Sequence, residues 1–166
     1  DTLISAQIVK DEDELLTVAD SGKCLRFKAS AVRTVGRTSQ GVRGIKIDES
    51  EEVVDLIKVD PSKEILTVTA NGYAKRTRLE DYRLQQRAGK GIKAGIFNEQ
   101  TGKLASLKQI ADDEDIMAIA DNGTIIRIHA NEISRIGRDT KGVHVMRLDS
   151  GKIATIAITP ASEDEE

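Results

Sequence analysis

In 166 residues the chain has one cysteine, two histidines, two prolines, no tryptophan, two tyrosines and two phenylalanines. A lone Cys24 can close no internal disulfide and complete no Cys-x-x-Cys metal site, and two histidines do not supply a zinc set. No apolar run approaches the roughly 18 residues of a membrane span, and the opening residues lack the basic-then-apolar order of a secretion signal. The expectation is a cytoplasmic chain without metal or redox chemistry. Scarce aromatic rings also argue against a single-strand nucleic-acid platform, where stacking supplies about 1–3 kcal/mol per base. Helical periodicity is nowhere sustained; residues 30–33 and 131–134 are each expected to form one helical turn.

What the chain does have is charge, unevenly placed. The total is −3, from 25 Lys+Arg and 28 Asp+Glu. Residues 33–46 carry Arg33, Arg37, Arg43 and Lys46 with no acid, and residues 83–93 carry Arg83, Arg87, Lys90 and Lys93 with none. Residues 135–147 carry Arg135, Arg138, Lys141 and Arg147 against Asp139 alone. Those stretches hold a net +11, and the remainder, which includes the acidic tail Glu163-Asp164-Glu165-Glu166, is correspondingly negative. Such sign segregation is the footprint expected of a surface that meets a polyanion.

The basic stretches recur because the whole chain does. Gly22, Gly72 and Gly123 lie 50 and 51 residues apart, and Arg26, Arg76 and Arg127 keep that spacing. So do Arg37, Arg87 and Arg138, and Gly41, Gly91 and Gly142. Each repeat offers an apolar run (15–19, 65–69, 116–120) and a turn at Ser21-Gly22, Asn71-Gly72 or Asn122-Gly123. A returning strand (23–28, 73–78, 124–129) follows. Asn-Gly predicts a type I′ hairpin turn, with positive φ at both central residues. After the basic connector a third strand is expected at 42–47, 92–97 and 143–148, and a fourth at 53–59, 104–108 and 153–158. A further copy of the fourth opens the chain at 3–9. Four short strands in about fifty residues is the arithmetic of a propeller blade. The expected fold is all-β: three four-stranded blades of a propeller-like pinwheel, as an open arc or part of a longer array. The repeats run over 10–59, 60–110 and 111–160, followed by an acidic tail at 161–166.

Aligned on the repeat, the connectors read Arg37-Thr38-Ser39-Gln40-Gly41-Val42-Arg43, Arg87-Ala88-Gly89-Lys90-Gly91-Ile92-Lys93 and Arg138-Asp139-Thr140-Lys141-Gly142-Val143-His144. Glycine removes the Cβ that keeps a backbone N–H from an anion, and Arg and Lys add charge and donors for phosphate oxygens. Recurrence at one repeat position separates this pattern from a solvated charge run. The candidate DNA contacts are Arg33, Arg37, Arg43, Lys46, Arg83, Gln85, Arg87, Gly89, Lys90, Gly91, Lys93, Arg135, Arg138, Lys141 and Arg147, with Arg26, Arg76 and Arg127 in a second tier.

These residues carry a resemblance. Gly41-Val42-Arg43-Gly44-Ile45, Asn71-Gly72-Tyr73-Ala74-Lys75-Arg76-Thr77 and Ile133-Ser134-Arg135-Ile136-Gly137-Arg138 look like the fourth, fifth and sixth blades of the C-terminal domain of DNA gyrase A proteins, a six-bladed β-pinwheel. Residues 85–91, Gln-Gln-Arg-Ala-Gly-Lys-Gly, are similar to that family's hallmark box Gln-Arg-Arg-Gly-Gly-Lys-Gly and depart from it at Gln86 and Ala88. The resemblance implies a part that is not itself catalytic. It would wrap duplex DNA on its rim within an enzyme whose other regions use ATP and magnesium for negative supercoiling, with the rest of gyrase A and gyrase B as partners. The matching domain of topoisomerase IV and a propeller-type protein-interaction scaffold are the alternatives. The acidic tail is expected to compete with DNA for the basic rim.

Other chemistry is set aside on its residues. Gly36 to Gly41 and Gly137 to Gly142 fit Gly-x-x-x-x-Gly but continue Val-Arg and Val-His, without the Lys-Ser/Thr of a nucleotide loop. Residues 89–95 are one residue too long for a dinucleotide fingerprint. The acids at 11–14 and 112–115 occupy the same turn of the repeat and lack calcium-loop spacing. Tyr82 and Tyr73 read as packing residues, and no Ser or Cys stands in a triad pattern with His129 or His144.

Overall fold

The computed structural model describes residues 2–161. The acidic run Glu163 to Glu166 lies outside them. In chain order the strands are β1 (Glu14–Ala19), β2 (Lys23–Lys28), β3 (Val53–Lys58), β4 (Glu64–Thr69), β5 (Tyr73–Thr77) and β6 (Ile92–Lys93). There follow β7 (Leu104–Ile110), β8 (Glu114–Ala120), β9 (Ile125–His129), β10 (Val143–His144) and β11 (Ile153–Pro160). Single 3-10 turns follow each hairpin at Ala29–Ala31, Leu79–Asp81 and Ala130–Glu132. The first and third overlap the helical turns expected at 30–33 and 131–134, and the second completes the period. No helix is long and apolar enough to cross a membrane among the described residues.

The hairpins β1–β2, β4–β5 and β8–β9 form where expected, but their turns are of another kind. Each is a short loop closed by a glycine N–H donating three residues back: Gly22 to Ala19 O at 2.8 Å, Gly72 to Thr69 O at 3.0 Å and Gly123 to Ala120 O at 3.0 Å. Only the glycines take positive φ, at 86°, 85° and 86°. One left-handed residue at the end of the loop brings the strands back into register, so type I′ geometry is not needed.

The sheets are built by exchange. Their orders are β3-β1-β2-β6, β7-β4-β5-β10 and β11-β8-β9, all paired antiparallel. The outer strand β6 belongs to the second repeat yet pairs with β2 of the first, Cys24 opposite Ile92. Likewise β10 of the third repeat pairs with β5, Ala74 opposite Val143. The fourth member of each sheet is therefore supplied by the following repeat, and the third sheet shows three strands among the described residues. Two expectations are corrected for the same reason. Residues 42–47 and 3–9 form no strand, because both edges of the adjacent β1–β2 hairpin are taken, by β6 and β3.

The core lies between the sheets. Along β1, Leu16 and Val18 face the second sheet, where they cluster with Cys24, Ile57, Ile65, Leu79, Tyr82 and Leu107. Leu15 faces the opposite side with Leu25, Phe27 and Ile45. Between the second and third sheets lie Leu66, Val68, Ile116, Ile133, Met146 and Ile156. Alternate residues of a strand thus serve two different clusters, as period-2 geometry requires of a sheet buried on both faces. Buried Asp55 on β3 adds a polar lock to the first interface, accepting from Ser106 Oγ at 3.1 Å, Leu107 N at 3.2 Å and Lys108 Nζ at 3.0 Å on β7.

Candidate nucleic-acid interface

β3 packs on β7 and β7 on β11, so these three strands share one side of the arc. The connectors, which end in β6 and β10, lie at the opposite edge of each sheet and form its rim. The second and third basic stretches therefore come to equivalent places on one edge, and the first lies beside the second, where Arg43 O accepts from Arg87 Nη1 and Lys46 N donates to Gly89 O.

The second and third connectors are each fastened to the repeat before them. Gly91 has φ +74°, and a Cβ there would stand 2.3 Å from Cys24 O; Gly142 has φ +85°, with Ala74 O at 2.8 Å. These glycines let the connector lie flat against the preceding strand, a role in which any side chain collides. Arg87 Nε donates to Ala31 O at 2.8 Å and its Nη1 to Arg43 O. Arg138 repeats this one blade on, with Nε to Asp81 O at 3.1 Å and Nη1 to Lys93 O. Gln85 N donates to Arg26 O, and Gly89 O accepts from Lys46 N. Ala88, where the hallmark box has glycine, is the one non-glycine residue with positive φ among those described, at 63°. An L-residue held there costs about 1 kcal/mol.

Two of the second-tier arginines, Arg26 and Arg76, sit inside the joints between repeats. Arg26 holds Glu14 through Nε at 2.6 Å and donates from Nη1 to Leu79 O at 3.3 Å and Tyr82 O at 3.0 Å of the next repeat. Arg76 is buried, donates from Nε to Ile133 O at 2.9 Å and pairs with Asp112 and Glu64. Arg127 pairs with Asp115 at 2.7 Å and donates to Pro160 O at 3.2 Å. Arg26 and Arg76 clamp one repeat to the next, whereas Arg127 ties β9 to β8 and β11 within the third repeat.

Of the remaining candidates, Arg33, Arg37, Arg43 and Lys46 on the first connector are exposed, as are Arg83, Lys90 and Lys93 on the second and Arg147 on the third. None of these side chains makes a hydrogen bond or ion pair among the described residues. Lys141 is exposed and touches Gln100 Oε1 at 3.2 Å. Arg135 is ion-paired with Glu64, and its Nη2 lies 3.6 Å from Asp112. Free guanidinium and ammonium groups in line on an edge can neutralise successive phosphates without reading bases.

Sequence reasoning missed two kinds of residue here. Lys28 and Arg78 are exposed, make no side-chain hydrogen bond or ion pair among the described residues, and open the first two connectors at equivalent positions. The fifty-residue spacing that found the other bases contains them too. Lys75 has no such signal, because Leu25 and Ile126 occupy its place in the neighbouring repeats. Its buried ammonium donates to Arg138 O, to Thr140 O at 2.9 Å and Oγ1 at 3.3 Å, and to Gly137 O at 3.4 Å, clasping the third connector from beneath. Burial, reinforced by the nearby Arg138 charge, lowers its pKa to about 8. Burial also pushes the Cys24 thiol up to about 12, so it is inert while the first joint is closed. Tyr73 packs as expected, its ring stacked on His144 across the β5–β10 pair with centroids 4.9 Å apart. Among the described residues no cluster of His, Cys, Asp and Glu is arranged to hold a metal ion.

A family model described as "DNA gyrase C-terminal domain, beta-propeller" matches residues 13–60, 63–110 and 114–160. The chain is 37% identical over 169 aligned positions to the DNA gyrase A protein of Staphylococcus aureus strain MRSA252, an alignment covering 100% of this chain and 19% of that protein. The same identity is found with the gyrase A protein of strain NCTC 8325, where 99% of this chain is covered. The chain thus spans about a fifth of the length of these relatives. Among solved structures, a DNA gyrase A C-terminal domain superposes with a TM-score of 0.84 at 23% identity, covering 90% of this chain and 52% of that one. The C-terminal domain of a DNA topoisomerase IV gives 0.85 at 21% identity, covering 91% and 48%. At those identities the superpositions establish the shared fold.

Proposed function

The chain belongs to the DNA gyrase C-terminal domain family, and from that premise we propose that it binds duplex DNA through phosphate contacts along its connector rim and helps to wrap the duplex. It does so as the non-catalytic part of a larger gyrase A protein that works with gyrase B in ATP-dependent negative supercoiling. ATP and magnesium serve regions of that enzyme outside this segment. The observation that carries the reading is the recurrence of exposed, unpaired bases on successive connectors, the second and third of which are held at one sheet edge by Arg87, Arg138 and their glycine neighbours. A curved line of cations favours a bent duplex, because the extra phosphate contacts offset the elastic cost of bending.

Duplex affinity measured by fluorescence anisotropy across a salt series tests this. Log K is expected to fall linearly with log salt at about −0.9 per neutralised phosphate, with an overall slope steeper than about −4. A single strand of the same length should compete poorly, for want of aromatic stacking faces. Salt-independent binding, or preference for the single strand, would contradict the reading.

A further inference from the structure

The two joints inside the chain differ at the end where the hairpins turn. Their backbones match: Leu104 N donates to Asp20 O at 3.0 Å in the first and Ile153 N to Ala70 O at 2.8 Å in the second, so Lys103 and Lys152 hold the same place. At the first joint the cations are committed to acids. Lys103 pairs with Asp20 at 2.6 Å, and Lys23 with Asp48 at 3.3 Å and Glu51 at 2.7 Å. One repeat on, those three acids are Ala70, Asn98 and Thr101, and Lys152 keeps only the amide oxygen of Asn71. Arg147 stands where the first joint has Ile96, and its side chain makes no hydrogen bond or ion pair among the described residues.

These two cations flank a cleft of about 530 Å³ between the second and third sheets, lined also by Asn71, Gln100 and the stacked rings of Tyr73 and His144. No carboxylate lines it. Asp121 Oδ1 accepts from the Lys152 backbone N–H at 3.0 Å, and exposed Asp149 lies two residues from Arg147, but neither acid forms an ion pair with the Arg147 or Lys152 side chain. The cleft continues from the third connector, whose Lys141 reaches Gln100 Oε1 at 3.2 Å. Its openness belongs to the position in the blade. At the first joint, with the third sheet packed beyond it, Ile96 is still 41% exposed and the Lys103 side chain 71%.

Resting on the DNA-binding reading above, we propose that this cleft is a further phosphate site: the duplex leaves the connector edge at the second joint, and Arg147 and Lys152 hold adjacent backbone phosphates beside the β4–β5 turn. Arg147 brings all five of its N–H donors, and Lys152 the two that Asn71 leaves it. The volume lies in the range of about 300–1,000 Å³ that admits a nucleotide-sized group, so a sugar–phosphate unit enters the cleft as well as its charged oxygens. The first joint has no counterpart, because Asp20, Asp48 and Glu51 already neutralise its cations. The track therefore extends onto the turn end at one joint and not at the other.

Two double variants that remove the same charge test this in a salt series of duplex affinity: Arg147→Gln/Lys152→Gln in the cleft, and Lys23→Gln/Lys103→Gln at the first joint. None of the four side chains is buried, so circular dichroism should show both folds intact. The cleft variant is expected to flatten the log–log slope by about two units and to bind at least about tenfold more weakly at about 0.1 M salt, while the first-joint variant shifts the slope by less than about half a unit. Inorganic phosphate titrated to about 10 mM without DNA should not saturate the cleft, as followed by amide NMR shifts. An unchanged slope in the cleft variant, equal changes in both variants, or a cleft filled by inorganic phosphate alone would overturn the proposal. If Lys90→Gln/Lys93→Gln flattens the slope and the cleft variant does not, the connector edge stands as the DNA track and the cleft alone is excluded.

Discussion

Gly91→Ala should destabilise the first joint by about 2–4 kcal/mol, while Gly41→Ala, the same change at the equivalent position, should cost only about 1 kcal/mol in dilute protein. Both glycines are left-handed, at φ +74° and +79°, so both substitutions carry the strain of an L-residue in that region. They differ in what the new methyl meets. At Gly91 it lands 2.3 Å from the Cys24 carbonyl, which is held by strand pairing and cannot move without opening β2–β6; at Gly41 it meets nothing. Gly142, with its nearest carbonyl at 2.8 Å, should fall between them. Urea midpoints give the order, and Cys24 supplies a local readout. Its buried Sγ lies 3.2 Å from Ile92 O across the same joint, so thiol labelling should be slow in the parent chain and fast in Gly91→Ala. Equal midpoints for the Gly91 and Gly41 variants would show that the connector is not pinned as described.

Arg76→Ala should cost about 2–4 kcal/mol, and Arg127→Ala about 1–2 kcal/mol. The two arginines share a repeat position and an acidic partner one hairpin away, and in sequence they are indistinguishable. Arg76 is 7% exposed and is shared by Ile133 O, Asp112 and Glu64, so its removal leaves a buried carbonyl without its donor and half-buried Glu64 with Arg135 as its remaining arginine. Arg127 is itself exposed on β9, but its partner Asp115 is 3% exposed, so water replaces only part of what its guanidinium gives up. The same pair separates clamp from contact. If Arg76 acted directly on DNA, its loss would weaken binding at temperatures where the fold is intact. The structure predicts instead that affinity is kept until the second and third sheets part, which thermal unfolding followed beside DNA binding can tell.

The phase of the repeat was legible in the sequence because its markers are residues with few substitutes. A left-handed turn-closing position and a flat joint both demand glycine, and a guanidinium reaching carbonyls of the neighbouring repeat demands arginine. The hairpins and the inner strands β3, β7 and β11 follow directly from that phase. What the spacing does not reveal is which sheet a strand joins. Residues 92–93 and 143–144 lie at the right places in the period, but they pair with the preceding repeat, and this exchange leaves 42–47 and 3–9 without strand structure. The candidate site divides on the same line. Periodicity marks every recurring arginine alike, although Arg26 and Arg76 clamp the sheets, Arg87 and Arg138 tie down connectors, and Arg83, Lys90 and Lys93 are free. Lys75 departs from the repeat altogether. Only the placement of the third connector above it explains a lysine where the neighbouring repeats have Leu25 and Ile126.

The division between free and committed bases decides which residues meet DNA, and one measurement addresses it directly. The salt dependence of duplex affinity should be compared among the parent chain, the double variant Lys90→Gln/Lys93→Gln, and Arg135→Gln. Losing the two free lysines is expected to flatten the log–log slope by about two units. Arg135, already paired with Glu64, should change it by well under one. An unchanged slope in the lysine variant, or an equal loss from Arg135→Gln, would contradict the assignment of the connector rim as the DNA track.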